Sequence, residues 1–275
     1  MTFRDAMTCG EKVLTLSNVV DAKNDAWLLL AEACKIDRTY FYMHMNEEIS
    51  DEQESEYKSL IKKRAEHVPL QYIIGEQVFM GLVFKVNSSV LIPRQDTETL
   101  VEETLKKCKP KMKVLDMCTG SGCILISVMK NVSDISGLGV DLSKQALSVA
   151  KENAMINKVN AVFEQSNLFD KIREKFDIIV SNPPYIKRED IPKLMPEVYV
   201  FEPIEALDGM EDGLYFYRKI VNESIEHLNE GGYLLFEIGC DQGEDVSSMM
   251  RFAGYKDVKV IKDLAGNDRV VLGMR

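Results

Sequence analysis

The chain has 275 residues, 45% hydrophobic and 28% charged, with a formal net charge of −10; this is the balance of a soluble globular enzyme with room for one large or two ordinary domains. The acidic surplus argues against a protein that lives by gripping nucleic-acid phosphates, since that affinity comes from lysine and arginine, and no direct nucleic-acid binding is expected. No apolar run approaches the ~18 residues of a membrane helix and the start, Met1-Thr2-Phe3-Arg4-Asp5, lacks a signal-peptide apolar region, so a cytoplasmic protein without a membrane partner is expected.

Residues 1–72 read as a small helical domain. Ala26, Leu29, Leu30, Ala33 and Cys34 recur at helical spacing, and Ser50-Asp51-Glu52-Gln53 has the form of a capping box ahead of Tyr57, Leu60 and Ile61. Pro69 marks its end. Trp27 reads as core, His44 and His67 as structural or exposed, and the basic clusters Lys62-Lys63-Arg64 and Lys187-Arg188 as solvated surface. Residues 73–92 form a linker in which Gln77–Met80 and Leu82–Val86, parted by Gly81, read as a β-hairpin.

Residues 93–275 form the larger domain. Pro93 blocks further strand pairing, and Asp96 and Glu98 favour the first turn of a helix reaching about Cys108. Strand and helix patterns then alternate: strands at 114–116, 139–141, 160–165, 176–180 and 233–238, with a helix from Ile124 and another capped by Ser143. Two last strands, 258–261 and 269–272, read as an edge hairpin. The expected fold is α/β, a mostly parallel sheet ending in a C-terminal antiparallel hairpin. The proline-punctuated stretch from Ile186 to Gly213 is too long for an ordinary connection and is a candidate lid or substrate-binding segment.

The chemistry sits at strand ends. In Cys118-Thr119-Gly120-Ser121-Gly122 the glycines let a ligand approach the backbone, and Asp141 ends the next strand, where a carboxylate can accept from two ribose hydroxyls. Leu125 stands where a dinucleotide fingerprint has its third glycine, so a nucleoside without pyrophosphate fits better. S-adenosylmethionine (SAM) is the candidate, its adenine between Leu142 and the Asn167-Leu168 turn. By itself this pattern also admits a nicotinamide enzyme or a mere tight turn, with Asp141 as a helix cap. Cys118 and Cys123 read as small apolar packing. With six scattered cysteines, no CxxC pair and three isolated histidines, neither disulfides nor a metal site is expected.

Asn182-Pro183-Pro184-Tyr185 follows the apolar strand. Two prolines stiffen the turn and remove two amide donors, leaving the Asn182 side-chain oxygen and backbone carbonyls to receive both hydrogens of a planar NH2 group, with the Tyr185 ring against its face. An amide or an aromatic amine suits such a pocket. An amide nitrogen has its lone pair delocalised into the carbonyl, so orientation must carry much of the catalysis.

These segments resemble the HemK or PrmC family, the peptide chain release factor N5-glutamine methyltransferases. The likeness extends over Val114–Gly122, Gly139-Val140-Asp141, Asn182–Ile186, Phe201-Glu202-Pro203, Ala206–Gly209 and Asp212-Gly213-Leu214. It also takes in Leu91–Arg94 with Thr97-Glu98, Glu237-Ile238-Gly239 and Leu264–Arg269. The resemblance implies a Rossmann-like SAM-dependent methyltransferase domain, and a helical domain that recognises the substrate. The implied acceptor is the glutamine of a Gly-Gly-Gln loop in class 1 peptide chain release factors. Cys118 to Gly122, Asp141, Leu168 and Asn182 would contact SAM and Asn182 to Tyr185 hold the glutamine; a monomer is expected. The chain departs from the pattern with Asn167 for Asp, Leu168 for an aromatic, Gln95-Asp96 for Pro-Glu, Phe201 for Tyr and Met210 for Gly. A ribosomal-protein glutamine methyltransferase shares the chemistry, and a DNA adenine-N6 methyltransferase presents the same NH2 problem.

Overall fold

Capped amphipathic helices build the first part of the chain. The computed structural model describes all residues, 1–275, and divides into two units: Met1–Gly75 with Met195–Phe201, and Glu76–Leu194 with Glu202–Arg275. In the first unit, α1 (Phe3–Leu16) starts at a Thr2–Asp5 capping box, and α2 (Ala22–Cys34) follows it. Next come α3 (Arg38–His44), α4 (Asp51–Ala65), opened by the Ser50–Gln53 capping box, and α5 (Leu70–Ile74). Each box satisfies amide donors that the first helical turn leaves unpaired. Phe3, Ala6, Leu14, Ala26, Leu29, Leu30, Tyr57, Leu60 and Ile61 form the apolar centre. Gly10 is where α1 and α4 touch, since a β-carbon there would lie 1.9 Å from the Tyr57 hydroxyl. Pro69 does not end the helical run but caps α5, a position where its missing N–H costs nothing.

Arg64 corrects the surface reading of its cluster. Lys62 and Lys63 are exposed, but Arg64 is buried. Its Nε donates to Asp25 Oδ2 at 2.7 Å and its Nη1 pairs with Glu197 Oε2 at 2.7 Å. A guanidinium can be taken from water only when its fork is matched this way.

The second unit opens with the hairpin β1 (Glu76–Phe79) and β2 (Leu82–Lys85). Met80 and Gly81 both have positive φ, +49° and +71°, as a tight hairpin turn of matching twist requires. After a 3-10 turn at Gln95–Thr97 come α6 (Glu98–Leu105), β3 (Lys113–Met117), α7 (Cys123–Asn131) and β4 (Ser136–Asp141). Then α8 (Lys144–Ile156), β5 (Val162–Gln165) and β6 (Phe176–Ser181) complete the first half, and α9 (Pro196–Tyr199) lies in the long connection. The chain ends with α10 (Tyr215–His227), β7 (Leu228–Glu237), α11 (Gly243–Phe252), β8 (Lys256–Lys262) and β9 (Asp268–Met274).

Seven strands form one sheet in the order β5-β4-β3-β6-β7-β9-β8, parallel except for β9, which is antiparallel to both neighbours. Alternate side chains feed two apolar layers: Val114, Ile178, Val180 and Leu235 go to one, Leu115, Ile179, Leu234 and Phe236 to the other. Both faces are therefore covered, as a parallel sheet needs. The closing strands form the expected antiparallel hairpin at the sheet edge, with β9 between β7 and β8 and β8 outermost. β7 begins earlier than expected, at Leu228, with a register irregularity against β6.

Candidate active site

Strand order reverses between β3 and β6, because the chain runs outward from β3 to β5 and then returns to add β6 on β3's other side. The crevice beyond the carboxyl ends at such a switch point is where open α/β sheets bind ligands. Both motif turns emerge there, after Met117 and after Ser181, residues that are register partners. The Ser181 hydroxyl donates to the Met117 carbonyl at 2.7 Å, locking the two ends together. A cavity of about 510 Å³ opens at this edge, within the size range of small-molecule sites.

The glycine loop forms one wall. Gly120 has φ +54° and open space where a β-carbon would project, so a ligand can reach its backbone. Gly122, with φ +79°, works from behind: a β-carbon would come within 3.0–3.2 Å of Ile126, Ala150 and Phe163. Asp141 Oδ2 accepts from Gly120 N and Oδ1 from Ser143 N, both at 2.9 Å. Each oxygen keeps a lone pair for a ligand hydroxyl. Burial pushes the Asp141 carboxyl up, against these backbone bonds. It is not the helix cap, since the Ser143 hydroxyl accepts from Ala146 N. Leu142 is exposed on the rim, and the end of β5, just before the Asn167-Leu168 turn, is tied to it by Gln165 Nε2 donating to the Leu142 carbonyl at 2.8 Å. Cys118 adopts φ +61°. Its thiol, like that of Cys123, is pushed up by burial, which suits packing and not nucleophilic chemistry.

Two buried polar groups hold this loop from outside. Asp116 Oδ2 accepts from the Thr119 hydroxyl at 2.6 Å, and burial pushes the acid up to about 7. Asn153 on α8 donates to the carbonyls of Ser121 (2.9 Å) and Lys85 (3.1 Å) and accepts from Lys85 N (2.6 Å). It thereby fastens the hairpin to the loop.

On the opposite wall, Asn182 and Pro184 face the cavity with Arg94, Thr97 and Pro203. Pro183, Tyr185 and Gly122 stand outside its lining. Asn182 Nδ2 donates to Thr97 Oγ1 at 3.4 Å, and the Tyr185 hydroxyl to Glu237 Oε1 at 3.4 Å. The Tyr185 backbone is held by Gln242, whose Nε2 donates to its carbonyl at 3.0 Å. Gly209 leaves room for it, since a β-carbon there would sit 2.8 Å from Tyr185 backbone atoms. The long connection is closed on itself: Ile186 N donates to the Leu207 carbonyl at 3.0 Å and Gly209 N to the Ile186 carbonyl at 2.8 Å. Arg94 is anchored by Glu202, which also accepts from Ile92 N at 3.2 Å.

The structure thus brings Cys118, Thr119, Gly120, Ser121, Asp141, Leu142, Asn167, Leu168, Asn182 and Pro184 around one cavity. Sequence reasoning gave no role to Thr97, Asn153, Glu237 or Gln242. Thr97 and Glu237 lay in segments that carry the family likeness, which was the available signal.

Comparison with known proteins bears on the family and the fold. Residues 5–75 match the family model of the PrmC N-terminal domain, and residues 94–199 that of the methyltransferase small domain. The release factor glutamine methyltransferase of Thermodesulfovibrio yellowstonii is 41% identical over 90% of this chain and 91% of its own. That of Clostridium acetobutylicum is 40% identical over 100% of this chain and 99% of its own. In fold, the methyltransferase of Pyrococcus furiosus superposes with a TM-score of 0.54 at 19% identity, over 70% of this chain and 89% of that one. With two turns meeting at one switch point and full-length relatives at this identity, the chain belongs to the release factor glutamine methyltransferase family.

Proposed function

We propose that the protein transfers a methyl group from SAM to the side-chain amide nitrogen of the glutamine in the Gly-Gly-Gln loop of class 1 peptide chain release factors, giving N5-methylglutamine. The observation that carries this is the meeting of a nucleoside-type wall, Gly120 with Asp141, and an acceptor turn that reaches the same cavity through Asn182 and Pro184.

The residues present fit SAM: Gly120 leaves its backbone approachable, Asp141 keeps acceptor capacity for ribose hydroxyls, and Leu142 with Leu168 offers apolar faces to adenine. When bound, SAM supplies a methyl group activated by its sulfonium. Asn182 Oδ1 and the Pro183 carbonyl hold the two amide hydrogens, which fixes the direction of the nitrogen's weak lone pair. Positioning of this kind is worth about 7–11 kcal/mol in favourable cases. Methyl transfer there would form the nitrogen–carbon bond, leave the carbon–sulfur electron pair on sulfur and make the nitrogen acidic, its proton passing to water. No strong base is required, and Tyr185 offsets the passing positive charge with its ring. The helical unit, including the Met195–Phe201 segment held by Arg64 and Glu197, is the proposed grip on the release factor.

Incubation with labelled SAM tests the reading: a class 1 release factor becomes labelled, whereas a ribosomal protein and unmodified DNA do not. Replacement of Asn182 by alanine lowers the initial rate at saturating SAM by ~100-fold or more, the cost of a misplaced acceptor. Equal labelling of DNA, or an Asn182→Ala protein with the wild-type rate, contradicts it.

A further inference from the structure

An asparagine amide can present either its oxygen or its NH2 to a cavity, and only the oxygen can receive a substrate N–H. The structure has Nδ2 turned to Thr97 Oγ1, at 3.4 Å, which leaves Oδ1 for the acceptor. Something must keep Thr97 in the accepting role. Its side chain is buried, and its hydroxyl proton needs a destination of its own. Glu237, at the end of β7 and 2% exposed, supplies one. Thr97 lies close enough to favour the ionised form of the Glu237 carboxyl, and Glu237 Oε2, buried and without a hydrogen-bond partner, is the acceptor left open for its proton. Glu237 Oε1 is occupied by the Tyr185 hydroxyl. Once a hydroxyl donates its proton to a carboxylate, only lone pairs remain for its other neighbour.

We infer that Glu237 and Thr97 are positioning residues: the carboxylate takes the Thr97 proton, the Thr97 oxygen holds Asn182 Nδ2, and the Asn182 oxygen is thereby kept toward the glutamine. The other carboxylate oxygen fixes the Tyr185 hydroxyl, so one buried acid orders both ends of the acceptor turn. This rests on the function proposed above and adds to it the residues that set its geometry.

Ionisation of Glu237 then controls the site. Burial pushes this acid up to about 7, against the opposing influence of Thr97 and Arg269. The charged and titratable groups facing it are Arg269, which pairs with Asp96 at 3.2 Å, together with Tyr185 and Cys123. Tyr217 faces it as well, its hydroxyl donating to the Glu237 backbone carbonyl at 2.9 Å. A proton on either carboxyl oxygen removes one of the two acceptors. The arrangement is therefore complete above the folded-state pKa and lost as pH falls through it.

The test uses the full chain and its Thr97→Val, Thr97→Ser and Glu237→Gln variants. Kinetics with a release factor are measured across pH, SAM affinity by calorimetry, and the Asn182 side-chain amide by NMR without substrate. Thr97→Val is expected to lower kcat about 10–100-fold, as loss of a group that orients a reacting residue does, with SAM affinity retained. Thr97→Ser restores the rate. Wild-type kcat falls below a pH near 7, and Glu237→Gln, which keeps only one of the two acceptors and does not titrate, is slower throughout and flattens that limb. The Asn182 amide signal titrates with the same midpoint in the wild type and not in Thr97→Val or Glu237→Gln. An unchanged kcat in Thr97→Val, or an Asn182 signal that ignores pH in the wild type, overturns the inference. A titrating Asn182 signal in a protein that methylates no release factor leaves the inference standing and refutes the function.

Discussion

Asp116 and Glu237 are buried carboxyls whose folded-state pKa values are raised to about 7, with one oxygen each lacking a hydrogen-bond partner. Their burial has a thermodynamic sign. An acid whose folded pKa lies above its unfolded value favours folding fully below the unfolded value and loses that contribution as pH rises through the folded one. Asp116→Asn removes a titrating group, so the melting temperature of the variant relative to wild type should rise between pH 5 and pH 8. A difference that stays flat, followed by calorimetry, would show that Asp116 is not protonated in the folded protein. At this scale the sequence pointed to Asn182, Gly120 and Asp141, which line one cavity, because their residue types belong to the turns they sit in, and to Tyr185, which lies outside that lining. It could not disclose Thr97 beside Glu237 or Asn153 on Ser121, because those contacts join positions far apart in the chain.

Among elements, the parallel strands β3 to β6 were legible from β-branched runs alternating with helical spacing, since each strand feeds both covered faces. The start of β7 was not, because Gly231-Gly232 suggests a turn, whereas the strand begins at Leu228 and tolerates Gly231 at φ +77° within an irregular register. The closing edge hairpin was legible too, but not that β9 lies inside β8, which depends on pairing and not on local pattern. The hairpin β1–β2 was visible from its turn, but its anchorage was not. Asn153 meets both backbone groups of Lys85 and the Ser121 carbonyl. Asn153→Ala leaves these groups unpaired in a buried place, a cost of about 1–3 kcal/mol. A lower denaturation midpoint with weakened SAM affinity is expected, and unchanged SAM affinity would separate the hairpin from the glycine loop.

For the whole molecule, the chain divides into a helical unit and an α/β unit, with Met195–Phe201 belonging to the helical unit although it lies between strands of the other in sequence. Arg64 holds that segment, pairing with Asp25 and Glu197 inside the unit. Its role was hidden in a basic cluster because a sequence shows charge but not burial. Breaking a buried pair leaves an uncompensated charge and costs about 3–5 kcal/mol, so Arg64→Ala should lower the stability of the helical unit in limited proteolysis. Burial already pushes Asp25 up; without Arg64 it rises further, and the loss should be smaller at pH 5 than at pH 8. The central claim is that the Asn182-to-Tyr185 turn presents a glutamine side chain to SAM. Mass spectrometry of release-factor tryptic peptides after reaction tests it most directly. One added methyl group on the side-chain nitrogen of the Gly-Gly-Gln glutamine, dependent on SAM and lost with Asn182→Ala, is the expected result. An unmodified peptide, or a methyl group on another residue, would contradict it.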